Sequence, residues 1–445
     1  LIERAAPSDN TLVIHPAAPD ADPARAEARL EEACGLAEAL GLKIVDRAEE
    51  KLRKLDPSTY FGSGKVAMLK DRIVALGADA VVIDAALTPV QQRNLERAWN
   101  AKVIDRTGLI LEIFAERAST KEGRLQVELA RLTYARSRLV RTWTHLERQR
   151  GGRGFLAGPG ETQIETDRRL ISERMAKLRA ELEDVKRTRA LHRKRRRAAP
   201  WPTVALVGYT NAGKSTIFNI LADSAVLAKD MPFATLDPTV RAIRSPSGRK
   251  ILISDTVGFI TDLPTELIAA FRATLEEVRE ADILVHVRDV SDPDHEGRKA
   301  DVEAVLDALD AGAEHGQRVI EAWNKADRLS EADRADIEWR ARLPKRPGVP
   351  PAAVMSAATG EGLDALMALV EQALSMDDTV LRFRADPEDA QALAWVHENG
   401  DVLEERVDAE SGTTFAVARL SGPDAGRFRR RFPGLEISAE KAAAE

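Results

Sequence analysis

The run Thr203, Val204, Ala205, Leu206, Val207 leads without a break into Gly208, Tyr209, Thr210, Asn211, Ala212, Gly213, Lys214, Ser215, and Thr216 follows. A short apolar strand that ends in glycine, four residues, glycine, lysine and serine is the sequence of a phosphate loop set between a strand and a helix. The glycines let the backbone wrap an anion so that its N–H groups point inward at a helix N-terminus, whose partial positive charge favours phosphate. Lys214 is expected to reach the β and γ phosphates, and Ser215 to give one hydroxyl to Mg²⁺. A chain containing this unit must build a mostly parallel sheet around it, with helices on both faces.

Four further segments fit the same site. Strand Lys250 to Ser254 ends in Asp255, Thr256, Val257, Gly258. The carboxylate there can hold Mg²⁺ through water, and the Gly258 amide can approach the γ phosphate. Strand Arg318 to Trp323 ends in Asn324, Lys325, Ala326, Asp327. Asp327 can accept from the ring N–H and exocyclic amino group of guanine, a donor pair that adenine lacks, so the base is read as guanine. Asn324 is expected to brace the loop, and the Lys325 stem to cover the base. Strand Ala352 to Met355 precedes Ser356, Ala357, Ala358, where a backbone N–H can donate to guanine O6. Between loop and Asp255 lie Phe233, Ala234, Thr235, Leu236, Asp237, Pro238, Thr239. Such a segment can lend a threonine hydroxyl to Mg²⁺ and an amide to the γ phosphate, with Thr235 the first choice and Thr239 the alternative. Lys214, Thr235 and Gly258 are thus the catalytic candidates, and Ser215, Thr235 and Asp255 the metal candidates.

At 445 residues the chain has room for about three domains at roughly 150 residues each. Residues 1–117 alternate short apolar runs (Thr11 to His15, Lys43 to Asp46, Val81 to Asp84, Lys102 to Asp105) with helical patterns such as Pro23 to Leu40, which reads as a small α/β domain. Gly62, Ser63, Gly64, Lys65 superficially suggests a second phosphate loop, but Thr59 and Val66 break the pattern. Over residues 118–197, Leu125, Leu129, Leu132, Leu139, Trp143 and Leu146 form one stripe and Ile171, Met175, Leu178, Leu182 and Val185 a heptad seam. An antiparallel hairpin with a glycine-rich tip at Gly151 to Gly160 follows. Residues 201–376 form the phosphate-loop domain, and residues 377–445 a small α+β domain.

Between Arg131 and Arg197 stand 20 Lys and Arg against 8 Asp and Glu, although the whole chain carries −6. Charge runs of this kind are more often a solvated helix face, with an electrostatic footprint for nucleic acid the alternative; Arg193 to Arg197 likewise reads first as a solvated linker and second as a phosphate patch. Arg427, Phe428, Arg429, Arg430, Arg431, Phe432 near the end can be a contact patch for a partner or, equally, a solvated amphipathic helix. A single cysteine, Cys34, in an alanine-rich helical pattern reads as core and excludes an intrachain disulfide framework. With Cys34 read as core and seven histidines scattered without metal-ligand spacing, a GTP-dependent RNA-modifying enzyme lacks support. No apolar run approaches the roughly 20 residues that span a bilayer, and with the single cysteine a cytoplasmic protein is expected. A monomer is the separate expectation for its assembly. The first residue is Leu1, which suits a trimmed or processed start.

These motifs, together with the run Gly158, Pro159, Gly160, Glu161, Thr162, Gln163, Ile164, Glu165, Thr166, Asp167, Arg168, Arg169, closely resemble the HflX family of ribosome-associated P-loop GTPases. The resemblance extends through the N-terminal half from Tyr60, Phe61, Gly62 to the run Leu125 to Leu139, and over Phe233 to Pro238 and Asp255 to Phe259; the far N-terminus and the region after Met376 are weakly covered. It implies a GTPase that binds the large ribosomal subunit, through rRNA and ribosomal proteins, and separates stalled or idle ribosomes. Many switch GTPases carry glutamine after Asp-x-x-Gly to orient the attacking water; here Phe259 stands in that position. Slow intrinsic hydrolysis stimulated by the ribosome is expected, with Phe155 at the hairpin tip either stacking on an unpaired base or packing back. The competing class is an RNA-binding or RNA-remodelling module in which GTP is only a structural ligand.

Overall fold

The computed structural model describes residues 10–149, 163–197, 201–223, 232–233, 235, 239–261, 275, 277–343, 348–376, 378–408 and 411–441. The first layer is built from β1 (Asn10–Ala17), α1 (Pro23–Ala39), β2 (Lys43–Lys51), α2 (Ser63–Leu76), β3 (Ala80–Ile83), α3 (Pro89–Trp99) and β4 (Lys102–Asp105). Its four strands are parallel in the order β2-β1-β3-β4. All of β3 is buried, as a parallel strand covered on both faces requires. Helix starts follow local chemistry: Asp22 caps α1 ahead of Pro23, and Thr88 with Gln91 forms a capping box on α3.

Strand β2 runs five residues past the Asp46 end expected from the apolar pattern. Arg47 to Lys51 pairs in register with Val13 to Ala17 at the sheet edge, where one side of the strand meets water and charged residues are tolerated. Gly62 to Lys65 opens α2, and Lys65 is bound to Glu50 at 2.6 Å and to the Lys51 carbonyl at 3.0 Å. That lysine clamps the end of β2. Cys34 packs half-buried against the core, and burial pushes its thiol up to about 11, so it is protonated and inert.

Helix α4 (Arg106–Arg117) turns the chain into α5 (Lys121–Gln149), and α6 (Gln163–Arg197) returns along it. Leu125, Leu178 and Leu182 form the buried centre of the pair, with Leu129, Leu132 and Val185 packed around them. Arg174 bridges to Glu128 at 2.7 Å across the two helices. The near end of α5 is anchored to the first layer, where the Tyr134 hydroxyl donates to Asp105 at 2.6 Å and Arg138 pairs with the same carboxylate at 3.0 Å. The side chains of Leu139, Trp143 and Leu146, and the glycine-rich tip with Phe155, lie outside the described residues.

The central sheet contains β5 (Thr203–Gly208), β6 (Thr239–Arg244), β7 (Lys250–Asp255), β8 (Ile283–Asp289), β9 (Arg318–Asn324) and β10 (Ala352–Val354), with α7 (Lys214–Leu221), α8 (His295–Ala308), α9 (Glu331–Arg342) and α10 (Leu363–Ser375). The order is β10-β9-β8-β5-β7-β6, parallel throughout except for β6. One face buries Leu206, Phe218, Ile253, Val285, Leu366 and Met367. Residues of the other face, Ala205, Val207 and Leu284, belong to one core with Val13, Leu36 and Phe114 of the first layer. The N-terminal layer is therefore packed against the strand ends that carry the phosphate loop.

The last unit is β11 (Asp378–Ala385), α11 (Ala390–Asn399), β12 (Asp401–Val407), β13 (Thr414–Ser421), α12 (Gly422–Arg431) and β14 (Ile437–Lys441). Its antiparallel sheet has the order β12-β13-β11-β14. Both helices pack on one face through Leu381, Phe383, Val396, Ala418 and Phe428. Phe428 is completely buried, so in the run Arg427 to Phe432 it serves the core and only the arginines face outward. Arg249, in the turn just before β7, holds Asp378 of β11 through two bonds of 3.0 and 3.1 Å. Among the described residues no helix is long and apolar enough to cross a membrane.

Candidate nucleotide site

Every residue of β5 after Thr203 is buried, and the strand ends at Gly208 with φ 149°. A Cβ there would sit 2.3 Å from the Val287 carbonyl oxygen, so only glycine lets the loop leave the sheet beside β8. Gly213, with φ 98°, is required for another reason: a Cβ would lie 2.2 Å from Nδ2 of Asn324. Asn324 crosses the loop at this point. Its Nδ2 donates to the Ala212 carbonyl at 2.8 Å, and its Oδ1 accepts from the Ala357 N–H at 2.8 Å. One side chain thereby joins the phosphate loop to the Ser356 to Ala358 segment.

Lys214 opens α7, buried, and its Nζ donates to the carbonyls of Gly208 at 3.1 Å and Tyr209 at 2.7 Å. Burial lowers its pKa to about 8, opposed by the nearby Asp255 carboxylate. Ser215 donates to Asp255 Oδ2 at 2.7 Å, and its hydroxyl lies 2.8 Å from that of Thr235. Thr235 donates to the same Oδ2 at 2.9 Å. Two hydroxyls and a carboxylate from three separate segments thus meet at one point. Asp255 Oδ1 is buried and has no hydrogen-bond partner among the described residues. Burial raises the Asp255 pKa, while Ser215 and Lys214 oppose that rise. Thr239 pairs in register with Asp255 as the first residue of β6, so of the two candidate threonines it is Thr235 whose hydroxyl reaches the cluster.

The Asp255 to Gly258 segment runs beneath the loop. Thr256 donates to the Leu206 carbonyl at 2.6 Å, and Val257 is buried. A Cβ on Gly258 would approach Thr210 Cα at 2.9 Å and Lys214 Nζ at 3.1 Å, so Gly258 and Lys214 are immediate neighbours. Phe259 donates its N–H to the Gly208 carbonyl at 3.1 Å and accepts from the Thr210 N–H at 2.8 Å. Its ring is 2% exposed and lies in the core shared with the N-terminal layer. Lys325, at φ 65°, extends to Asp289 at 2.7 Å, Ala326 is buried, and Asp327 is exposed. Ser356 is buried; its N–H is taken by the Glu361 carbonyl at 2.9 Å. Asn211, exposed at φ 58°, and Thr216, half-buried in α7, complete the loop. Ala234, Leu236 and Asp237 lie outside the described residues.

Two side chains expected at the nucleotide face elsewhere. The Phe233 ring, at φ 55° and 2% exposed, stacks edge-on against Phe114 at 4.5 Å, inside the shared core. Tyr209 points away from the loop interior. Its hydroxyl donates to Glu32 at 2.6 Å, accepts from the Thr261 N–H at 3.0 Å, and lies 2.7 Å from the Thr261 hydroxyl. Burial, then Glu32, raises its pKa. Thr261 is held further by its donation to Asp301 at 2.6 Å and by Arg106, which donates to its carbonyl at 3.0 Å. Arg106 itself is ion-paired with Glu32 and Asp84, and Asp84 accepts from His15 at 2.8 Å. No sequence motif marks Glu32 or Arg106; a tyrosine inside a phosphate loop was the available sign that the loop has a second neighbour.

A phosphate loop braced by asparagine, a hydroxyl–carboxylate cluster below it and an Asn-Lys-x-Asp turn on the next strand end, all on one doubly covered sheet, define a P-loop GTPase. Sequence profiles of four families match along the chain: "GTP-binding GTPase N-terminal" at residues 27–115, "GTP-binding GTPase Middle Region" at 117–196, "50S ribosome-binding GTPase" at 203–325 and "HflX C-terminal domain" at 345–442. The chain is 51% identical to GTPase HflX of Magnetococcus marinus over 390 residues, 87% of each chain. It is 40% identical to GTPase HflX of Escherichia coli over 406 residues, 91% of this chain and 93% of that one. A solved GTP-binding protein of Sulfolobus solfataricus in complex with GDP aligns with 82% of this chain and 98% of its own, at 23% identity and a TM-score of 0.43. The chain belongs to the HflX family of GTPases. It binds guanine nucleotides and hydrolyses GTP.

Proposed function

We propose that this GTPase is a slow switch that binds the large ribosomal subunit in its GTP form, separates stalled or idle ribosomes, and is released after hydrolysis. The observation that carries the reading is the place of Phe259. Its ring is built into the core, so no side chain at that position orients the attacking water, and the missing group or ordering must come from a partner. Kinship supports the choice of partner, since residues 203–325 match a profile described as a 50S ribosome-binding GTPase. The excess of Lys and Arg over Arg131 to Arg197 supplies charge suited to rRNA phosphates.

The residues fit Mg²⁺. Ser215, Thr235 and Asp255 offer three converging oxygens, and Asp255 Oδ1 is a buried acceptor whose remaining capacity a hard cation would satisfy. Bound there, Mg²⁺ would neutralise charge on the β and γ phosphate oxygens. Lys214 is assigned to the same phosphates, drawn from the loop carbonyls it now caps. The Gly258 amide is assigned to the γ phosphate, and the Gly208 to Thr216 backbone to the phosphate cradle. Asp327 accepts from guanine, and the Lys325 stem covers its face. Because the Ser356 and Ala357 amides are committed to Glu361 and Asn324, Ala358 supplies the donor to guanine O6.

Single-turnover hydrolysis of pre-bound GTP, with and without large subunits, tests the proposal. Stimulation of at least about tenfold is expected for a missing transition-state group, and equal rates would remove the activation claim. Cosedimentation with large subunits should require the GTP form. It should weaken steeply with salt, and weaken again when Arg141, Arg148, Arg150 and Arg153 are neutralised together. The protein is assigned to the cytoplasm as a monomer.

A further inference from the structure

The C-terminal unit follows the order β11, α11, β12, β13, α12, β14, a βαββαβ arrangement with strand order 4-1-3-2. Both helices cover one face of the sheet. The opposite face is crossed by rows that the strand register defines. Phe415 of the central strand β13 lies directly opposite Arg384 of β11 and directly opposite Arg406 of β12. The next row is Glu404, Val417 and Arg382, with Ser438 at the edge, and the third contains Asp401, Arg419, Val380 and Glu440. Phe415 is 51% exposed, and Arg382, Arg384, Glu404 and Arg406 are exposed. Positive charge gathers at the Phe415 row, where Asp386 partly offsets it by accepting from Arg384 at 3.2 Å.

An exposed phenyl ring on a central strand costs hydrophobic free energy in water unless something covers it. Directly opposite residues of antiparallel strands stand about 4.5–5.5 Å apart. Two guanidinium groups can therefore reach the phosphates on either side of a base stacked on the ring between them. Stacking on an aromatic residue needs no particular base, and arginines on the flanks favour a polyanion.

We propose that this open sheet face binds single-stranded RNA, with one unpaired base stacked on Phe415 and the adjoining phosphates on Arg384 and Arg406. The choice of RNA over DNA rests on the ribosome reading above; the stacking site does not. The test uses the full-length, GDP-loaded protein without ribosomes, so that its failure is separable from failure of large-subunit binding.

Anisotropy of a fluorescein-labelled octanucleotide RNA should show Phe415→Ala weakening binding by about 5- to 100-fold, the range typical of one lost stacking contact. Phe415→Trp should restore it, and Arg384→Ala with Arg406→Ala should lower both affinity and salt dependence. Intrinsic GTP hydrolysis and the thermal midpoint should stay unchanged in Phe415→Ala. Because the basic hairpin can hold the same probe, a 4-thiouridine version should be crosslinked and the adduct mapped. An adduct within Thr414 to Arg419 supports the proposal. Unchanged affinity in both variants, adducts wholly outside the sheet, equal Phe415-dependent binding of duplex RNA, or displacement of the probe by polyglutamate from this face alone would overturn it.

Discussion

The Tyr209 hydroxyl, carried by the residue after the first glycine of the phosphate loop, donates to Glu32 of α1 at 2.6 Å, although 177 positions separate the two residues. Glu32 is also paired with Arg106, and Arg106 donates to the carbonyl of Thr261, two residues beyond Phe259. The loop and the segment after Gly258 are thus fastened to the same pair of N-terminal side chains. Phe233 inserts into that layer against Phe114 from the segment that precedes Thr235. Three parts of the nucleotide site share one wall.

Tyr209→Phe should destabilise the protein by about 1–3 kcal/mol, because it leaves buried polar partners at Glu32 and Thr261 without the hydroxyl. GDP affinity should change by less than about threefold, since the hydroxyl faces the N-terminal layer and makes no contact toward the phosphates. Guanidinium denaturation and nucleotide titration read the two quantities. Unchanged stability would mean that water replaces the hydroxyl without loss.

Asp327→Asn should lower GTP affinity by about 100-fold or more and raise that for xanthosine triphosphate. The amide of asparagine donates to xanthine O2 and accepts from its ring N–H, whereas guanine presents two donors. Competition of both nucleotides for the fluorescent GDP complex measures the exchange. Retention of guanine preference would take Asp327 out of base recognition.

Lys214 connects pH to nucleotide binding. Its pKa of about 8 lies below the ordinary 10.5 because burial disfavours the ammonium. Phosphate beside it favours the charged form and raises the pKa. Binding of GDP near pH 8 should therefore take up about half a proton, and affinity should fall as pH rises through about 8. For stability of the nucleotide-free protein the sign is opposite to that of a paired lysine. The unfolded chain binds more protons between about 8 and 10.5, so this group's contribution rises with pH across that window. Calorimetry in buffers of different ionisation enthalpy measures the uptake; none at pH 8 would contradict the assignment.

Chelation should separate the oxygen cluster from the phosphate loop. With Mg²⁺ present, GDP release should be slower than with EDTA, and Ser215→Ala should erase most of that difference. A tenfold effect corresponds to about 1.4 kcal/mol, within reach of one lost metal ligand. Stopped-flow release of a fluorescent GDP provides the rates. An EDTA effect as large in Ser215→Ala as in the wild type would exclude Ser215 from metal binding.

Much of the site was legible in sequence because its requirements are local. A loop that leaves a buried strand at Gly208 and enters a helix at Lys214 needs its glycines within a few residues, and the turn from Asn324 to Asp327 is as short. The seam from Ile171 to Val185 was readable for the same reason, since periodicity reports a buried stripe. Local pattern misjudged other residues. Charged Arg47 to Lys51 forms an edge strand, because pairing with β1 supplies what apolar content does not. Phe428, in a run that reads either as a contact patch or as an amphipathic helix, anchors the C-terminal core as the second of these requires.

The sequence by itself determined that the chain is a guanine-nucleotide P-loop protein of several domains, because each of those statements depends on groups close together along the backbone. Only the tertiary structure decided that Thr235 and not Thr239 reaches Ser215 and Asp255. It alone decided that Phe233 and Phe259 spend their rings on the N-terminal core, and that Glu32 meets Tyr209. Those outcomes depend on which faces of distant elements bury each other. Hydrophobic burial is non-directional, so it leaves no mark in the order of residues that names the partner surface.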